Sequence, residues 1–116
     1  MQYLLLIYNN ESDFAAMSEA DKQTLFKDYY SFTAAIRESG HYLGGNPLQP
    51  VATATTVRVR DGKPMTTDGP FAETREQLGG YYLIDAADLD EATGIAARIP
   101  GARTGSIEVR PIQAMG

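Results

Sequence analysis

The chain has 116 residues, no cysteine and a formal charge of −5, which suits one domain over residues 1–116 with a modest core and excludes a two-domain enzyme. The acidic balance and ten scattered cations argue against a nucleic-acid binder or a polybasic membrane segment, because too little positive charge is gathered to displace counterions or hold anionic lipid. Without cysteine there is no disulfide, thiolate metal site or thiol nucleophile, and with neither a leader pattern nor an apolar run near the roughly 20 residues of a membrane span, a soluble cytoplasmic protein is expected.

Residues 3–8, YLLLIY, form a continuous apolar run of strand length. Such a run reads as a strand buried on both faces and therefore central in its sheet. Asn9-Asn10-Glu11-Ser12-Asp13 breaks it. Ser18 with Asp21 then caps a helix over residues 19–39, in which Leu25, Tyr29, Phe32 and Ile36 recur at helical spacing as one apolar stripe. Phe26 and Tyr30 widen the stripe, and Gly40 suits the exit. Residues 41–48 predict a short strand running into a Gly44-Gly45-Asn46-Pro47 turn.

Residues 55–60 alternate, Val57 and Val59 to one side and Arg58 and Arg60 to the other. Asp61-Gly62 turns the chain back, and Pro64 marks the return arm as an edge or a free ribbon. Gly79-Gly80 predicts a bulge or a close backbone contact ahead of a strand over residues 81–85. Asp88 with Glu91 caps a second helix over residues 89–99, stopped by Pro100-Gly101. The last strand, residues 106–112, sets Ile107 and Val109 against Glu108 and Arg110.

This order is an α+β, ferredoxin-like split βαβ arrangement with an inserted β-hairpin. Two helices cover only one face of four strands, while the first strand carries apolar side chains on both. A second copy packed sheet to sheet about a two-fold axis is the simplest cover. A homodimer with a cavity between its sheets is therefore expected.

Asp68-Gly69-Pro70-Phe71-Ala72-Glu73-Thr74, followed by Glu76-Gln77-Leu78-Gly79-Gly80-Tyr81-Tyr82, resembles the DGPF-domain branch of the YCII-related family. Residues 3–8, 40–47 and 108–112 support the resemblance, which spans nearly the whole chain. It implies a dimeric α+β barrel. Genes of that branch often lie beside those of extracytoplasmic-function sigma factors, so the resemblance also implies a sigma factor as a partner. Other YCII-related proteins carry a His in the first helix, paired with an acidic residue; here Tyr29 stands at that place.

The densest chemistry lies in residues 66–83. Asp68 reads either as a turn residue bonding its own backbone or as a carboxylate at the cavity mouth, available as a general base or acceptor. Gly69 and Pro70 suit a preorganised ligand-contacting loop, and Phe71 is core or ligand platform. Glu73 and Gln77 would share one face of a helical turn. Arg75 either pairs with a neighbouring Glu, or Glu73 faces the cavity as a second carboxylate beside Asp68, the two splitting acid and base roles. His41, the only histidine, is a hydrogen-bonded structural residue or a proton shuttle. Tyr8, Tyr29, Tyr81 and Tyr82 are expected to wall the pocket. No cofactor or metal is expected, since one His and no Cys make a poor zinc set and no nucleotide or hydrolase fingerprint occurs.

Two functions remain open. One is a small-molecule-binding dimer, a sensor or accessory protein, whose ligand touches Tyr8, Tyr29, Gly69, Pro70, Phe71, Gln77 and Tyr81. The other is a cofactor-independent enzyme in the same cavity, with Asp68, Glu73 or His41 moving protons.

Overall fold

In the computed structural model, which describes residues 1–115, the apolar run is strand β1 (Gln2–Asn9). It lies between β5 (Gln77–Asp85) and β6 (Ser106–Pro111), antiparallel to both. β2 (Tyr42–Pro47) adds to the far side of β5, giving the order β2-β5-β1-β6. A short helix, α1 (Glu11–Ala15), follows β1, and two longer ones, α2 (Glu19–Glu38) and α3 (Leu89–Ala97), complete an α+β ferredoxin-like plan. The inserted hairpin, β3 (Thr55–Arg60) and β4 (Lys63–Asp68), is a separate two-stranded ribbon.

The capping residues act as the sequence requires. Ser18 Oγ accepts from the Asp21 N–H at 3.1 Å, and Asp88 Oδ1 accepts from the Glu91 N–H at 2.9 Å. Each satisfies a donor that the first helical turn would leave orphaned. The helical stripe lands as its period demands: Phe32 and Ile36 are buried, and Leu25 and Tyr29 are half-buried.

One face of the sheet holds the core. Tyr3, Leu5 and Ile7 of β1, with Tyr82 and Ile84 of β5, pack against Phe32 and Ile36 of α2 and Ala92, Ile95 and Ala96 of α3. Leu5, Ile36, Ile84 and Ile99 are fully buried, and burial of such a side chain stabilises by about 1.5–3 kcal/mol. The alternate residues of the same strands, Leu4, Leu6, Tyr8, Tyr81 and Leu83, face away and stay half-buried, with no second layer over them among the described residues. This uncovered side is the open face.

Two local expectations are corrected. Gly44-Gly45-Asn46-Pro47 is no turn: these residues pair with Leu83, Tyr82, Tyr81 and Gly80 as the body of β2. The glycine serves packing instead, since a Cβ on Gly45 would stand 2.8 Å from the Tyr81 carbonyl oxygen and from the Tyr82 ring. Residues 73–77 make no helical turn either; residues 69–76 are irregular and Gln77 opens β5. The bulge expected at Gly79-Gly80 is present, with Ile7 opposite Gly80 and Tyr8 opposite Leu78.

The molecule is a slab, 48 × 47 × 19 Å between Cα extremes, with a radius of gyration of 16.1 Å. A compact chain of this length has about 13.4 Å. Its accessible surface of 8171 Å² exceeds by roughly a third what a monomer of this mass presents. Among the described residues no helix is long and apolar enough to cross a membrane.

Candidate functional site

The open face carries a polar set on an apolar ground. Leu6 stands opposite Glu108 on one side and Tyr81 on the other, and Tyr81 stands opposite Asn46. One row across the sheet therefore runs Glu108, Leu6, Tyr81, Asn46. Within it the Asn46 amide donates to the Tyr81 hydroxyl at 3.0 Å. From the next row the Tyr8 hydroxyl donates to Glu108 Oε1 at 3.4 Å, and from the row before it Arg110 Nε donates to Glu108 Oε2 at 2.9 Å. Leu4 and Leu83 flank these groups. The face thus offers one carboxylate already balanced by a cation, two phenols and an amide, set among leucines. Such a mixture is chemically suited to a small organic molecule more than to an ion.

At the Asn9 end of β1 a second network ties the 69–76 loop to the sheet. Gln77 Oε1 accepts from the Glu11 N–H at 2.9 Å, while its Nε2 donates to the Thr74 carbonyl at 2.6 Å. Asn10 Nδ2 donates to the Arg75 carbonyl at 3.0 Å. Glu76 Oε1 accepts from Ser106 Oγ at 2.8 Å, so this carboxylate bonds a serine rather than pairing with Arg75. Glu11 Oε2 accepts from the Val51 N–H at 3.0 Å. Gln77, Asn10 and Glu76 thus tie the loop to the sheet together.

The expected site residues fall in four places. Tyr8 and Tyr81 are on the open face. Asp68 ends β4, Gly69 follows at φ +100°, where glycine alone is at ease, and Pro70, Phe71 and Glu73 continue as exposed chain. Asp68 makes no side-chain hydrogen bond among the described residues; the residue two on is Pro70, which has no N–H to donate. Tyr29 is on the helix-backed side, its hydroxyl accepting the Gly101 N–H at 3.1 Å. Burial pushes its pKa up from the usual 10.0, against the pull of that N–H. Tyr82, also on that side, shares a hydrogen bond with Thr33 at 2.7 Å, and burial likewise raises it.

His41 lies at the opposite end of the sheet. Its carbonyl accepts the Asp85 N–H at 2.8 Å, so the length of β5, roughly 26 Å at about 3.3 Å per residue, separates it from Gln77. There Nδ1 meets Ser39 Oγ at 2.7 Å and Nε2 meets Glu91 Oε1 at 3.1 Å. The same Glu91 oxygen accepts the Ala87 N–H at 2.9 Å. Within one protomer His41 stands apart from the other expected residues.

Glu108, Asn46 and Arg110 are polar partners that sequence reasoning did not single out. The alternation in β6 already placed Glu108 and Arg110 opposite Ile107 and Val109, which was the available signal. Among the described residues no group of three or more His, Cys, Asp or Glu side chains is close enough to hold a metal ion. Shallow hollows of about 380 Å³, beside α2 with Asp28, Arg98 and Arg103, and about 230 Å³, between α3 and β6, lie off the open face.

The YCII-related domain matches residues 1–116 of this chain. The chain belongs to the YCII-related family. This YCII-related protein is 41% identical over 114 residues to an uncharacterized protein of Rhizobium meliloti (strain 1021), the match covering 97% of this chain and 92% of that one. Its fold is similar to that of 5-chloro-2-hydroxyhydroquinone dehydrochlorinase (TftG) from Burkholderia phenoliruptrix AC1100, solved in complex with 2,5-dihydroxybenzoquinone. The TM-score is 0.50 at 13% identity, over 97% of this chain and 94% of that one. At that identity the likeness is one of fold.

Proposed function

We propose that two copies of this YCII-related protein pack through their open faces and that the space between them binds a small organic molecule. One observation carries the reading: Leu4, Leu6 and Leu83 surround Tyr8, Tyr81, Asn46 and Glu108 on a sheet face that no other described residue of the chain covers. Leaving such a surface in water forgoes about 25 cal/mol per Å² of apolar area. A stable interface takes about 800 Å² from each partner, and the surplus surface of the slab is large enough to supply it.

The ligand class follows from the lining. Two phenols, an amide and a charge-balanced carboxylate suit a molecule with hydroxyl or carbonyl groups on an apolar frame. The dehydrochlorinase that shares the fold makes small phenols and quinones the first compounds to screen. Light scattering should give twice the protomer mass, and Leu6→Arg should give a folded monomer. Thermal shift against that compound set should find a stabilising ligand, whose effect is lost in the Tyr81→Phe, Glu108→Gln double variant. A wild-type monomer, or ligand binding untouched by the double variant, would refute the reading.

A second reading has the same space transfer protons without a cofactor. It is favoured by Tyr8 and Glu108 standing 3.4 Å apart, a phenol beside a carboxylate. In it Asp68 and Glu73 reach the face from the second copy, whereas the His41 ring is engaged by Ser39 and Glu91 of its own protomer. Turnover of a bound compound that stops in Glu108→Gln while binding persists would select this reading. Binding without turnover would leave the sensor or accessory role, and co-purification with a sigma factor tests the partner that goes with it.

A further inference from the structure

The β3–β4 ribbon, about 20 Å long at 3.3 Å per residue, stands free of the body. Every residue in its two strands except Thr56 is exposed. Its root is held by the Gly69 N–H donating to the Ala54 carbonyl at 2.7 Å and by Thr56 Oγ1 donating to the Gly69 carbonyl at 2.8 Å. A two-stranded hairpin alone in water is marginal at best, so a ribbon of this length calls for a surface to lie on.

Its two sides differ. Val57 stands opposite Thr66 and Val59 opposite Pro64, so the outer part of one side is apolar, with Thr55 and Asp68 on the same side at the root. Arg58 stands opposite Met65 and Arg60 opposite Lys63, so the other carries three cations. A ribbon wetted on both sides gains nothing from this segregation. It is the pattern of a sheet with one side covered, yet Val57 and Val59 are 61% and 60% exposed.

We infer that a second copy of this chain covers the Val57, Val59 and Pro64 side of the ribbon, each protomer laying its arm on the other. Charge selects that occupant. From Thr55 to Asp68 the ribbon holds three of the ten cations and two of the fifteen acids, Asp61 at its tip and Asp68 at its root, and none of the three cations is in an ion pair among the described residues. Nearly all the remaining acids belong to the body, so a second body attracts the arm at long range. Shape agrees: the slab is broad and only 19 Å thick, so an arm projecting from one copy can pass over the edge of another. The inference rests on the face-to-face dimer proposed above.

The chain's lack of cysteine makes single-cysteine labelling a direct test. Val59→Cys should react with a maleimide about tenfold slower than Arg58→Cys in the dimer and just as fast in a Leu6→Arg monomer. Amide exchange of residues 55–68 in the unmodified protein should be slow in the dimer, which covers the case of a cysteine variant that fails to assemble. A dimer in which positions 58 and 59 label alike and the ribbon amides exchange freely would overturn the arm and leave the face-to-face reading standing. A wild-type monomer would end both. A Leu6→Arg protein that remains dimeric with its arms protected would end the face-to-face reading alone.

Discussion

Strand β1 has two sides, and they are made of nearly the same residues. Tyr3, Leu5 and Ile7 look toward the helices and are buried, whereas Leu4, Leu6 and Tyr8 look the other way and are half-buried. Hydropathy does not tell the sides apart; the layer above them does. On the helix-backed side Tyr29 and Tyr82 hold the fold, through Gly101 and Thr33. On the open side the Tyr8, Tyr81, Asn46 and Glu108 side chains bond, among the described residues, to one another and to Arg110. Chemistry available to a ligand thus collects on the face that the fold has no use for.

The sharpest way to break this comparison is to truncate neighbours in sequence. Leu5→Ala should cost about 2–5 kcal/mol in urea unfolding, the usual range for a filled core position. Leu6→Ala should change the unfolding of the monomer, diluted below any self-association, by no more than about 1 kcal/mol and act instead on the dimer proposed above. Equal losses in the monomer would mean that the two sides are not different in kind.

The tyrosines give the next effect. Tyr29→Phe leaves the buried Gly101 N–H without its acceptor, an expected cost of about 1–3 kcal/mol. Tyr81→Phe frees an exposed Asn46 amide that water can satisfy, so its cost should stay under about 1 kcal/mol. Calorimetric melts of the two single variants compare them directly.

The same tyrosines predict a pH dependence. Both Tyr29 and Tyr82 have folded-state pKa values raised above 10.0, chiefly by burial. The folded state therefore keeps protons that the unfolded chain gives up. Their contribution is fully present below about pH 10, the unfolded value, and is lost as pH rises beyond it toward the raised folded values. Unfolding followed from pH 9 to 11.5 should lose stability more gently in the Tyr29→Phe, Tyr82→Phe double variant than in the wild type. An unchanged slope would mean that neither hydroxyl is desolvated.

Arg110→Ala should have the smallest effect. Its pair with Glu108 is largely exposed, and such pairs are worth about 0–1 kcal/mol. Stability should hardly move in a chemical melt, while affinity for any ligand of the proposed open-face site should shift because Glu108 loses its balancing cation.

Much of this molecule was legible before any fold was seen. The central place of β1, the stripe Leu25, Tyr29, Phe32 and Ile36, the caps at Ser18 and Asp88, the free ribbon ahead of Pro64 and the bulge at Gly79 each rest on residues within a few positions of one another. Side-chain period, capping and turn chemistry are local, so the order of amino acids alone determines them. Even Tyr29 had its answer in the stripe, which puts it under the helix rather than on the open face.

What lay beyond reach depends on register and crossover. That Gly44 to Pro47 runs as strand follows from the passage of β5 alongside it and from the ring of Tyr82 above Gly45. That Glu108 meets Tyr8, and His41 meets Glu91, follows from antiparallel pairing and from chain returns of fifty residues or more. Local sequence determines which faces each element has. Only the tertiary structure decides which faces meet, because those contacts join residues whose neighbours in the chain hold no record of one another.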